Sequence, residues 1–87
     1  MEPLLYAHAL ASVLSTNREL PAREKWEYLG YTDPNIVMYT AKEDDKDYDI
    51  VIEQDSDCTI SAKISIPGKE TVTSVIGFAS FTPRHRQ

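Results

Sequence analysis

The sequence predicts an α+β domain in which two N-terminal helices pack on one face of a four-stranded antiparallel β-meander. Three observations predict it. The apolar period is helical up to about residue 30 and close to two residues beyond it. The later apolar runs are separated by connections of hairpin length. Requiring one common core face for those runs leaves one nearly all-apolar side and one side of Thr, Ser and charge.

The first helix is expected over residues 3–15. Proline suits a first turn, Leu4, Ala7, His8, Ala11 and Leu14 recur at helical spacing, and Ser15, Thr16 and Asn17 are a stop signal. Glu2 stands where the basic start of a secretory leader would be, so the segment reads as part of the mature domain. A second helix is expected over residues 21–29, with Pro21 at its start, Ala22, Trp26 and Leu29 along one side and Gly30 as its left-handed cap. Tyr31 to Asn35, "YTDPN", then make a turn, since Asp-Pro and Asn interrupt regular structure. The strands are expected at 36–41, 48–54, 58–66 and 70–81, leaving 82–87 as a short basic tail.

Pairing Ala41 with Tyr48, Gln54 with Cys58 and Ile66 with Glu70 gives the inward face. It comprises Val37, Tyr39, Ala41, Tyr48, Ile50, Ile52, Cys58, Ile60, Ala62, Ile64, Val72, Ser74, Ile76 and Phe78. Three hairpins that agree on one face argue more strongly than any one alternation. Trp26, Tyr28 and Tyr31 form a cluster that serves either the core or an interface.

The 87 residues suit one domain near the lower size limit for a self-sufficient core. One cysteine, Cys58, excludes an internal disulfide and a multi-cysteine zinc site, and it suits a reduced, cytoplasmic setting. No apolar run reaches the roughly 18–20 residues of a membrane helix. The net charge of −5 is concentrated: residues 43–57 hold eight acids against Lys46 alone, and the remainder holds six acids against eight bases. Direct nucleic-acid binding is not expected, because no Lys/Arg stripe neutralises phosphates.

The acidic run "KEDDKDYD" is the one chemical singularity. Asp45, Asp47 and Asp49 imitate the start of a calcium loop. Such a loop needs glycine at its sixth position and glutamate at its twelfth, where this chain has Ile50 and Ser56. No metal or other cofactor is expected. Paired-carboxylate catalysis needs buried acids, whereas these lie in turns or on the outward face. His8 on the apolar side of the first helix reads as a core histidine, and Cys58 beside Ile60 as a buried thiol, so no nucleophile is assembled. Mimicry of a phosphate backbone is weak, since alternate strand residues stand roughly 6.6 Å apart, against one phosphate per roughly 3.4 Å of a DNA strand. A solvated hairpin that discourages aggregation also accounts for the charge.

The first strand, Ile36 to Ala41, is apolar on both sides and is expected at a sheet edge, open to a partner strand or a second copy of the chain. Ile36, Met38 and Val51 would supply a desolvated centre. Glu43, Asp44, Asp45, Asp47, Asp49 and Glu53 would meet a basic protein surface. Size and charge then place the chain by class among non-enzymatic interaction proteins. The first expectation is a stoichiometric inhibitor of a basic or nucleic-acid-handling protein, of the kind phages direct against host defences in the host cytoplasm. Immunity proteins and antitoxins, a DNA mimic, or a small subunit of a complex are the alternatives.

Overall fold

A computed structural model describes residues 2–55 and 58–78, with the Phe78 side chain excluded. The chain forms helix α1 (Leu4–Thr16), a short 3-10 turn (Arg23–Lys25) and strands β1 (Trp26–Asp33), β2 (Ile36–Glu43), β3 (Lys46–Gln54), β4 (Thr59–Ser65) and β5 (Val72–Phe78). The strands form a five-stranded antiparallel sheet in the order β1-β2-β3-β4-β5. The expected arrangement of two helices on a four-stranded meander is therefore corrected: among the described residues one helix packs on a five-stranded sheet.

The correction falls on residues 21–33, since β1 also takes in Tyr31, Thr32 and Asp33 of the expected turn. Only Arg23–Lys25 keeps a helical turn, and Trp26 begins a strand. Trp26 and Leu29 fit a helical spacing, but Trp26 and Tyr28 fit a strand equally well, and the sheet decides. The core-facing residues of β2 are fully buried, so its backbone groups need partners on both sides. β1 supplies them, pairing Trp26 with Ala41 and Tyr28 with Tyr39. Gly30 does not cap a helix. It sits at a bulge with φ 100°, and the freedom of glycine at positive φ serves either role. The Trp26 indole N–H donates to the buried Pro21 carbonyl at 3.0 Å, fixing the corner where the chain enters the sheet.

In α1, Asn17 Nδ2 and Thr16 Oγ1 donate to the Val13 carbonyl at 2.9 and 3.1 Å, satisfying a last-turn acceptor. The buried stripe is Tyr6, Ala9, Leu10 and Val13. The expected stripe is displaced: Leu4 is 63% exposed, and His8 and Ala11 are exposed too. Because the helix is apolar nearly all round, periodicity cannot select a side. The fit of Ala9 and Leu10 against the sheet selects it.

The β2–β3 register matches the expected Ala41–Tyr48 pair. Gln54 pairs with Ile60 rather than Cys58, a shift of two residues. Cys58 takes φ 70° and its N–H donates to the Asp55 carbonyl at 2.9 Å, so it belongs to the turn. It is exposed, not buried beside Ile60. An even shift leaves every side chain on its own face. Val37, Tyr39, Ala41, Ile50, Ile52, Ile60, Ala62 and Ile64 accordingly form the sheet side of the core, each at most 4% exposed. β5 follows the expected register from Val72 opposite Ile64 to Val75 opposite Ser61, then bulges at Ile76. Residues 79–81, expected as the end of that strand, and the tail 82–87 lie outside the described residues.

Candidate protein-binding face

The sheet has an inner face covered by α1 and an outer face that no described element covers. Cross-strand register writes the outer face as three rows. Glu27, Thr40, Asp49 and Ser65 form the first, and Gly30, Met38, Val51, Lys63 and Thr73 the second. Asp33, Ile36, Glu53, Ser61 and Val75 form the third. The middle row is apolar at its centre, where Met38 stands directly opposite Val51. Both are half-buried, as are Ile36, Asp49 and Glu53. Gly30 places no side chain beside Met38, and a Cβ built there would meet nothing within 4 Å. The apolar centre thus has an open flank.

Five of the nine residues expected at an interface come together here: Ile36, Met38, Val51, Asp49 and Glu53. Asp47 extends the row on β3, opposite Lys42. The other three are placed elsewhere. Asp44 and Asp45 are the two central residues of the β2–β3 hairpin, with φ 54° and 63°. Two positive φ values in a two-residue loop define a type I′ turn, whose twist matches that of the flanking strands. The hairpin is tighter than the expected connection 42–47, since β2 and β3 run up to the turn itself. Glu43 alternates with Val37, Tyr39 and Ala41, so it belongs to the opposite face, and it accepts from Lys25 Nζ at 3.4 Å. The acidic run is thereby divided between a tip, one face and the other face.

Two further corrections concern geometry. β2 is an interior strand flanked by β1 and β3, so Ile36 to Ala41 offers no edge to a partner strand. Pairing Gln54 with Cys58 would set Lys63 opposite Asp49, but the two-residue shift between β3 and β4 sets it opposite Val51. Among the described residues, no ion pair involves Asp47, Asp49 or Glu53, so these carboxylates remain available to an incoming cation. Glu27 and Asp33 enlarge the acidic rim from β1; the sequence pattern puts Glu27 in the expected helix and Asp33 in the expected turn, so neither is expected on this face. The alternation of Trp26 and Tyr28 about Glu27 was the available signal.

An open depression of about 470 Å³ adjoins the first row, lined by Lys25, Glu27, Thr40, Ala41, Lys42 and Asp47. Its mixed charges and openness suit a rim contact rather than an enclosed substrate site. Among the described residues no group of three or more His, Cys, Asp or Glu side chains is arranged to hold a metal. No helix is long and apolar enough to cross a membrane, again among the described residues.

The covered side carries the other polar cluster. The Tyr39 hydroxyl donates to Glu2 Oε2 at 2.5 Å, and Arg23 holds the same carboxylate at 3.1 Å. Burial, reinforced by the hydrogen bond to Glu2, holds the Tyr39 phenol well above its ordinary range. Tyr28 stacks obliquely on Tyr39 at 5.5 Å, and Tyr6 meets Tyr31 edge-on at 5.9 Å. Trp26 is core, Tyr28 half-buried and Tyr31 54% exposed, so the aromatic cluster divides between core and surface.

These features define a two-layer domain, one helix on an antiparallel sheet, with an apolar-centred acidic outer face. No protein-family model, curated protein or solved structure matches the chain.

Proposed function

We propose that the chain is a non-enzymatic, stoichiometric binding protein that lays its outer sheet face on a basic surface of a protein partner and blocks it. The observation that carries the reading is the Met38–Val51 pair, apolar and half-buried, between Asp49 and Glu53 on the same face. An apolar centre inside a charged rim is the usual anatomy of a protein contact. The rim steers encounter, and the desolvated centre slows dissociation. Partners that handle nucleic acid present basic surfaces, which makes them the natural class of target. An immunity protein or antitoxin would use the same contact.

The test uses the full chain as bait against extracts of its native host, followed by titration of the retained protein. Asp49→Lys with Glu53→Lys is expected to weaken binding by at least about tenfold and to flatten its salt dependence. Met38→Ser with Val51→Ser is expected to weaken it by about a hundredfold through faster dissociation. Asp44→Lys with Asp45→Lys, at the hairpin tip, should change it by less than about threefold. Binding that follows the tip and ignores the face would overturn the reading.

A further inference from the structure

Among the described residues the sheet has two unpaired edges, β1 and β5, and they differ in a way that bears on pairing. The β1 edge is protected: it bulges between Tyr28 and Gly30 and again between Tyr31 and Asp33, and it carries Glu27 and Asp33. Bulges and charges are the ordinary means of preventing an edge from pairing. The β5 edge has neither protection along residues 72–75. From Thr71 to Phe78 there is no charged residue and no proline. Val72 and Val75 are 57% and 68% exposed. By alternation Val72 belongs to the helix-covered face, so an apolar side chain in core register stands uncovered at the rim of the core.

We propose that β5 pairs antiparallel with β5 of a second copy of the chain, joining two sheets into one of ten strands. The sequence of the strand is self-complementary about Ser74. A two-fold axis there sets Thr73 opposite Val75 of the other copy on the outer face, and Val72 opposite Ile76 on the inner face. Cross-strand pairs of β-branched side chains are favourable, and no like charges oppose one another. The inner pair covers Val72 and continues the core of each copy into the next. Charge permits a second copy at this edge and disfavours one at β1. Each chain carries −5, but its acidic strand β3 lies two strands in from β5. That is about 10 Å at a strand spacing of roughly 4.8 Å, beyond the Debye length of roughly 8 Å. Pairing through β1 would instead bring Glu27 and Asp33 of both copies together. The bulge at Ile76 and Gly77, where φ is 152°, bends the strand and ends the ladder.

Sedimentation and light scattering of the full chain test the proposal. The expected mass rises from the 9.9 kDa of one chain to twice that value as concentration rises about a hundredfold, and amide exchange at residues 72–76 slows by about tenfold or more over the same range. Thr73→Lys with Val75→Lys should hold the single-chain mass with unchanged circular dichroism, whereas Leu29→Lys on β1 should leave the dimer intact. In a Cys58→Ser background, Ser74→Cys should form an interchain disulfide on mild oxidation, because directly opposed strand residues lie within disulfide reach. A single-chain mass throughout overturns the proposal, as does a dimer that survives the double lysine change or an absent crosslink. Protection at residues 72–76 that is independent of concentration, which would assign the edge to residues 79–87 of the same chain, overturns it as well.

Discussion

The two faces of this sheet are built from the same strands and one alternation, yet they obey different rules. On the inner face Val37, Tyr39, Ile50, Ile52, Ile60 and Ala62 have no solvent exposure, and α1 lays Ala9 and Leu10 against them. On the outer face the apolar residues stand among Thr, Ser and charge: Ile36, Met38 and Val51 remain half-buried, and Val75 is 68% exposed. The inner face holds the fold together. Substitutions on the outer face should leave the chain folded, as its proposed role in recognition requires. The comparison can be broken or sharpened by substitutions on either side.

The largest effect is expected from the inner face. Ile52→Ala removes a fully buried side chain at the centre of the sheet and should destabilise the domain by about 3–4 kcal/mol through lost burial and the cavity left behind. Urea unfolding followed by Trp26 fluorescence measures it. A loss below about 1 kcal/mol would show that the inner face is less closely packed than its burial implies.

Next comes the polar latch that ties the chain start to that face. Tyr39→Phe removes the donor to Glu2 and should cost about 1 kcal/mol. Because the folded-state phenol titrates above its unfolded value of 10.0, the neutral form is favoured by folding. Stability from this group is therefore complete below pH 10 and is lost as pH rises beyond it. Thermal unfolding of the wild type should fall steadily above pH 10, and Tyr39→Phe should reduce that slope.

A smaller effect, opposite in sign, is expected at the hairpin tip. Asp45 holds φ 63° without being glycine, a conformation that favours Gly or Asn. Asp45→Gly should raise stability by about 0.5–1 kcal/mol, visible as a higher melting temperature. The smallest effect is on the outer face, where Val51→Thr keeps the β-branched shape. It should shift stability by less than about 1 kcal/mol in the same urea titration. A loss approaching that of Ile52→Ala would erase the distinction between the faces.

Much of the fold was legible from residue order. Helix α1, the turn at Pro34 and Asn35 and the inward–outward division of β2 to β4 follow from capping chemistry and a period of two. The division survived even where the pairing partner of Gln54 was misread, because a two-residue slip conserves the face. The segment beginning at Trp26 was not legible. Its aromatic spacing and Gly30 suit a helix end and a bulged strand alike, and only the unmet backbone groups of β2 discriminate between them. The candidate face suffered from the same ambiguity, since Glu27, Gly30 and Asp33 join it only once β1 is a strand.

The sequence by itself determined which side chains of β2 to β4 face the core and that acidity is concentrated in one stretch. Both are local properties, read from alternation and composition. Tertiary structure decided that β2 is interior and that the acidic run is divided among a tip and two faces. It also decided that the unprotected edge of the sheet is β5. These depend on which strands become neighbours, and neighbours are chosen by the burial and hydrogen bonding of the whole sheet rather than by any segment alone.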